Sequence, residues 1–410
     1  MSSERVDTQF RWFLTGQGFW FAAFGLQSVM FPYLVVSVLQ ESPERVGIAQ
    51  MCVMAPALLL MLPGGMLADA FDLRQLLVRL QCAAMVPALT VAAVASGGGL
   101  TFGVVIAFAL AQGSLQALVM PTRDALLGRV AGDDVQRAVA TAMLLQFLAQ
   151  VAGFALAGSA GWVGVPTLLV IQACAYGVGA VCAAQMLPVP PLRPDDADAT
   201  ASGETSALRE LGNAFVLVAR SPSMGPVTLQ MIGVGVSFIG VFSVVIPLMV
   251  RDLYAGGSVE LAMVNLCFVL GVLVSTLVLR ARPPVERQGR AIFLSGCGGL
   301  AVLLCLSAWP PMVLFYLLIL IFGIGAGVAM SLGRTLIQQA ASAAHRARIL
   351  AIYSLAFLGA APIGSFTMGV LAEHAGLDLA IWAATGAMAA LMLGLRLRSG
   401  IWQIRANTPG

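Results

Sequence analysis

Charge is scarce in this chain, and lysine is missing altogether. Only 10% of its 410 residues are charged, against roughly 25% in an ordinary soluble domain. All 22 basic residues are arginine, and there are two histidines. The seven cysteines (Cys52, Cys82, Cys174, Cys182, Cys267, Cys297, Cys305) lie inside apolar stretches with no CxxC pair. That excludes a disulfide framework and metal-ligand spacing. No GxxxxGK[ST] loop is present, so ATP hydrolysis within the chain is not expected. No Asp, Glu, Lys, Arg or His falls near the middle of an apolar stretch. This leaves no clustered acid, base or metal group for an enzyme, and the expectation is a non-enzyme without cofactor or metal.

What is abundant is apolar sequence, 59% of the chain. Cut at its polar breaks, it yields 12 stretches near the ~20 residues that span a bilayer as helix. They run over 10–39, 44–68, 74–95, 100–122, 137–160, 165–187, 225–251, 259–280, 291–307, 312–334, 347–372 and 379–397. The first reads as a retained span because no small-residue cleavage site follows it. With the N-terminus inside, 20 of the 22 arginines fall on the cytoplasmic side, and only Arg45 and Arg251 fall outside. Basic loops resist translocation, so the bias sets orientation and checks the span count. The net charge of +3 belongs to these loops and does not suggest a nucleic-acid partner.

The one long connection, 188–224, is rich in Pro, Asp, Ser and Thr and reads as a cytoplasmic linker. It divides the chain into 1–187 and 225–410, six spans each. Sliding the chain by 211 positions superposes Arg79 on Arg290, Arg123 on Arg334, Arg137 on Arg348, Gly153 on Gly364 and Gly158 on Gly369. An even number of spans per copy makes the repeats face the same way. The expected fold is therefore all-α and membrane-embedded, with 12 transmembrane helices in two parallel six-helix bundles.

After the second span comes Gly64-Gly65-Met66-Leu67-Ala68-Asp69-Ala70-Phe71-Asp72-Leu73-Arg74. It resembles the G-x-L-a-D-r-x-G-r-r loop of the major facilitator superfamily. Gly65 and Asp69 fit, and Leu67, Ala68 and Arg74 fit loosely. Ala70, Asp72 and Leu73 depart from it. The stretches 120–127 and 352–364 are similar to the branch that includes enterobactin and drug exporters. The resemblance covers the whole chain. It implies a secondary transporter working by alternating access, with export the favoured direction. An importer on the same fold is the alternative, and a non-transporting sensor or enzyme a more remote one.

Candidate residues follow. The resemblance makes Asp69, in the loop with Gly65, one member of a cytoplasmic gate, with Arg74, Arg123 and the start of span eleven as its natural partners; Arg334 occupies the place equivalent to Arg123 and is a gate candidate with it. Gln17, Trp20, Phe24 and Gln27 recur at helical spacing on span one. With Gln112, Gln116, Gln146, Gln150, Gln230, Asn265, Tyr353 and Phe357 they outline an uncharged cavity of amides and aromatic rings. Such a cavity suits a small amphipathic or aromatic compound, a drug or a siderophore. The bland alternative is that each amide bonds across a helix interface. Glu373, His374 and Asp124 remain as protonation sites. Span five offers Gly153-Phe154-Ala155-Leu156-Ala157-Gly158, with Phe where the antiporter signature has Pro. The expected setting is a bacterial inner membrane with both termini cytoplasmic. The expected partners are a small-molecule substrate and the lipid bilayer, and a monomer is the default.

Overall fold

The computed structural model describes residues 3–131, 134–189, 212, 215–283, 285–341 and 346–404, the side chains of 3–7, 61, 62, 135 and 346–348 excepted. Most of the 188–224 linker lies outside the described residues. Among them every regular element is helical.

The helices are α1 (Ser3–Tyr33, continued as a π-turn over Leu34–Val38), α2 (Pro43–Ala70), α3 (Leu73–Ser96), α4 (Phe102–Val130), α5 (Val135–Gly158) and α6 (Val165–Ala184). Then come α7 (Met224–Asp252), α8 (Ser258–Ala281), α9 (Gln288–Leu306) and α10 (Met312–Ala340). The last stretch, Arg346–Arg398, is 53 residues long. At 1.5 Å per residue that is about 80 Å, more than twice the ~30 Å hydrocarbon core. It breaks at Gly376, whose φ of 83° and ψ of 165° are not helical. Only glycine adopts that backbone without strain. The break makes two crossings, α11 (346–375) and α12 (377–398), so the 12-span expectation holds. The second span is bent by 54° between Pro43–Leu60 and Pro63–Ala70, where Pro63 removes a ladder donor.

Local chemistry sets the ends. Asp72 caps α3, its carboxylate accepting from Gln75 N at 2.9 Å, and Asp134 caps α5 by accepting from Arg137 N at 3.0 Å. A side-chain oxygen there satisfies one of the four orphan amides of a helix start. Asp72 thus has a structural task at a place where the resembled loop has glycine.

Three expectations need correcting. Helices α4 and α10 end at Val130 and Ala340, not at 122 and 334, so Asp124 sits within a helix and not in a loop. Hydropathy marks where the apolar slab ends, while backbone hydrogen bonding carries a helix on into water. Span seven is not a plain α-helix: Val234–Ile239 and Val241–Val245 are wound as π-helix.

The chain clusters into two compact units. The first holds Met1–Glu41, Cys52–Asp198 and Ala255–Asn265; the second holds Ser42–Met51, Ala199–Tyr254 and Leu266–Gly410. This differs from a division at the linker by two short segments, the starts of α2 and α8.

Within the first unit α5 packs along α1, and a Cβ on Gly153 would lie 2.6 Å from Leu26 N. Within the second, α11 packs along α7, and a Cβ on Gly364 would lie 2.7 Å from Gly235 O. Small residues let the backbones touch, which gives the Gly153–Gly364 match a physical basis.

Candidate functional site

The α1 stripe splits on folding. Gln17 turns into its own unit and donates to Ala142 O of α5 at 2.9 Å. Trp20 is 1% exposed and tilts against Tyr176 of α6, ring centroids 4.9 Å apart. Gln27 Oε1 accepts from Gln172 Nε2 at 3.1 Å and from the Tyr176 hydroxyl at 3.2 Å. Gln172 Nε2 also lies 3.1 Å from that hydroxyl. Trp20 Nε1, Gln27 Nε2 and Gln172 Oε1 stay without a partner. Phe24 is left half-buried. Gln172 and Tyr176 escaped the sequence reading. The signal was available, since they lie one helical turn apart on α6.

Other amides also serve helix interfaces. Gln112, fully buried, donates to Ala84 O of α3 at 3.1 Å. Gln230, likewise buried, donates to Ile292 O of α9 at 2.8 Å. Asn265 bonds back to Leu261 O on its own helix at 2.9 Å. Gln116, Gln146 and Gln150 differ: all three are half-buried and none makes a side-chain hydrogen bond within the described protein. In the second unit Tyr353 is buried, with its hydroxyl against Gly333, and Phe357 is half-buried.

The second unit also holds a chain of aromatic rings. Phe242 and Phe268 lie 4.6 Å apart, Phe268 and Phe322 6.1 Å, and Phe322 and Phe238 5.3 Å. Phe238 and Phe242 come from the π-wound part of α7. The extra residue per turn there rotates neighbouring side chains off the ordinary helical stripe.

The charged candidates are dispersed. Asp69 is exposed at the end of α2 and makes no ion pair with Arg74 or Arg123. Arg74 donates to Ala184 O. Arg123 is 4% exposed, with its guanidinium 4.4 Å from the centre of the Phe21 ring. It lines a small cavity with Gln17 and Gln81, with room for about one water. At the start of span eleven, the other expected partner of Asp69, the side chains of 346–348 are outside those described. Arg334 and Asp124 are exposed. Gly65 has open space where a Cβ would stand, and it is Gly64 that allows close approach, since a Cβ there would lie 3.1 Å from Ala117 O.

At the opposite ends of the helices two contacts repeat. Gly47 of α2 meets Gly369 of α11 inside the second unit, and Ser258 of α8 meets Gly158 of α5 inside the first. Both partners are displaced by the same 211 positions. Beside Gly47, Glu373 Oε2 accepts from Glu44 N at 3.3 Å. His374 Nδ1 lies 3.0 Å from Val370 O of its own helix. Arg251, one of two arginines on that side, forms a two-point pair with Asp252 at 2.5 and 3.0 Å. Burial pushes the Tyr254 phenol above its ordinary value. It therefore stays a neutral donor, bonded to Pro310 O at 2.5 Å.

Among the described residues no three His, Cys, Asp or Glu side chains gather as a metal site. What the geometry offers is close helix seams, uncharged open amides and clustered rings.

Solved transporters share the fold. A point mutant of the nucleoside transporter NupG superposes with a TM-score of 0.77 at 12% identity, covering 95% of this chain and 99% of that one. A POT family transporter in complex with 5-aminolevulinic acid gives 0.71 at 13% identity, covering 96% of each. A bacterial homologue of the lysosomal transporter Spinster, inward-facing and unoccupied, gives 0.65 at 14%, covering 98% and 97%. No curated protein sequence matches the chain significantly. Residues 8–408 match the MFS_3 family, described as transmembrane secretion effector, and the chain is therefore a multi-pass membrane transporter of the major facilitator type belonging to that family.

Proposed function

We propose that this transporter expels small, uncharged or weakly charged amphipathic aromatic compounds, such as drugs or siderophores, from a bacterial cytoplasm. The observation that carries the reading is the trio Gln116, Gln146 and Gln150, half-buried and without hydrogen-bond partners in a membrane-embedded unit. An amide left open in an apolar setting costs free energy, and a solute with its own donors and acceptors offsets that cost. Phe24 on α1, in the same unit, supplies flat apolar surface for such a solute. The family's description as a secretion effector supports the outward direction. The arginine bias supports cytoplasmic termini.

In this reading Asp69, Arg74, Arg123 and Arg334 belong to the cytoplasmic gate. The Gly47–Gly369 and Gly158–Ser258 contacts part when the opposite side opens. Cells expressing the chain should accumulate less of a fluorescent amphipathic dye than cells expressing a Gln116→Ala, Gln150→Ala double variant at equal abundance. Equal accumulation removes the role of the amides, and greater accumulation in the wild type makes the protein an importer.

A further inference from the structure

Trp402 is approached by two arginines. Its ring centre is 4.9 Å from the Arg290 guanidinium and 5.1 Å from that of Arg396, and Phe293 meets it edge-on at 5.7 Å. The tryptophan is held in place. The segment 401–404 follows α12 and folds back onto the start of α9, where Gly289 N donates to Ile404 O at 3.3 Å. A Cβ on Gly289 would strike Ile401 O, so glycine is what lets the two backbones meet. The first unit makes a comparable clasp, at a different register, between Leu73 N at the start of α3 and Val189 O after α6 at 3.1 Å. In the repeat, however, Arg396 and Trp402 correspond to Gln185 and Pro191. The clasp belongs to the fold, and the cation–aromatic group belongs to the second unit alone.

Both arginines are exposed, and among the described residues neither forms an ion pair. Residues 280–290 and 396–404 carry six arginines and one carboxylate, Glu286. Two guanidiniums beside one ring repel each other, and no described carboxylate is paired with either. One helical turn deeper into the apolar spans the surface changes character. Leu294 lies four residues beyond Arg290 and Leu393 three residues before Arg396, and they are 48% and 59% exposed. Exposed cations at the span boundary above exposed leucines match the outline of one lipid, and tryptophan at that depth is a headgroup anchor.

We propose that Arg290, Arg396 and Trp402 form a seat for the phosphate of one anionic phospholipid, whose acyl chains run along Leu294 and Leu393. The guanidiniums donate to the phosphate oxygens, and the lipid supplies the charge that the protein omits there. Binding ties the C-terminal segment to α9 more firmly than the backbone clasp does alone.

The test is native mass spectrometry of the delipidated full-length chain, titrated with phosphatidylglycerol or phosphatidylcholine. Wild type should retain phosphatidylglycerol over phosphatidylcholine by about 30-fold, from about fivefold per arginine. Arg290→Gln, Arg396→Gln together should bring the ratio near one, while Arg79→Gln, the equivalent in the first unit, should leave it unchanged. Should the double variant fail to purify, each single variant is expected to lose about fivefold. Equal retention of the two lipids by wild type overturns the proposal, as does a preference that survives both substitutions. Displacement of the lipid by excess inorganic phosphate also overturns it, by making the seat a site for a free anion.

Discussion

Gly47 and Gly369 touch backbone to backbone. A Cβ on Gly47 would lie 2.8 Å from the Cα of Gly369, and a Cβ on Gly369 would lie 2.7 Å from the Cα of Gly47. Neither neighbour is a flexible side chain that could move aside. Overpacking such a seam costs about 1–3 kcal/mol, which shifts a two-state population by about 5- to 150-fold. Gly369→Val should therefore lower the transport rate at least fivefold at unchanged membrane abundance. Gly65→Ala, with open space around it, should leave the rate intact. Equal rates in both variants would remove the seam from the transport cycle.

Arg123 offers a contrast between stability and activity. Its guanidinium is buried over Phe21 and has no ion pair with Asp69. Replacing a buried charge by an apolar side chain of similar size is often neutral or stabilising. Arg123→Met should keep or raise the thermal midpoint in detergent while slowing transport, because the cytoplasmic gate loses a cation. A midpoint several degrees lower would reveal a carboxylate partner, and Asp69 is the first candidate.

The Gln27–Gln172–Tyr176 group should behave as one unit. Gln172→Leu leaves Gln27 Oε1 and the Tyr176 hydroxyl short of a partner, at a cost of about 1–3 kcal/mol. Gln27→Leu and Gln172→Leu each break the Gln27–Gln172 bond, so the double variant, which breaks it once, should lose less than the sum of the two single losses, a coupling that the double-mutant cycle reads. Additive losses measured by denaturant or thermal unfolding would show that the amides act separately.

Open and closed amides should also differ in chemical access. In a background without native cysteines, thiols at positions 116 and 150 should react with a small aqueous reagent, and thiols at 112 and 172 should not. Reaction at 112 and silence at 116 would reverse the assignment of lining and packing roles.

The spans were legible because the bilayer imposes its thickness on hydropathy, and the glycine matches of the repeat were legible because backbone contact tolerates no side chain. Helix ends beyond the bilayer were not. Thr122–Arg129 looks like a loop by hydropathy yet continues α4. The roles of the amides were hidden for a different reason. Gln27 and Gln116 have the same chemistry and each faces a helix partner by spacing, but only the fold reveals that Gln172 bonds Gln27 while no described residue hydrogen-bonds the Gln116 side chain. The π-winding of α7 leaves no clear mark beyond Gly233, Gly235 and Gly240, so the Phe238–Phe322 contact could not be foreseen from a 3.6-residue period.

Transport in everted membrane vesicles tests the account most directly, because export in the cell becomes uptake into the vesicle. Energised vesicles carrying the wild-type chain should concentrate a fluorescent amphipathic aromatic compound, and Asp69→Asn vesicles of equal protein content should do so much more slowly. Uptake no faster than in vesicles lacking the protein, or transport running only out of the vesicle, would contradict an exporter of such compounds.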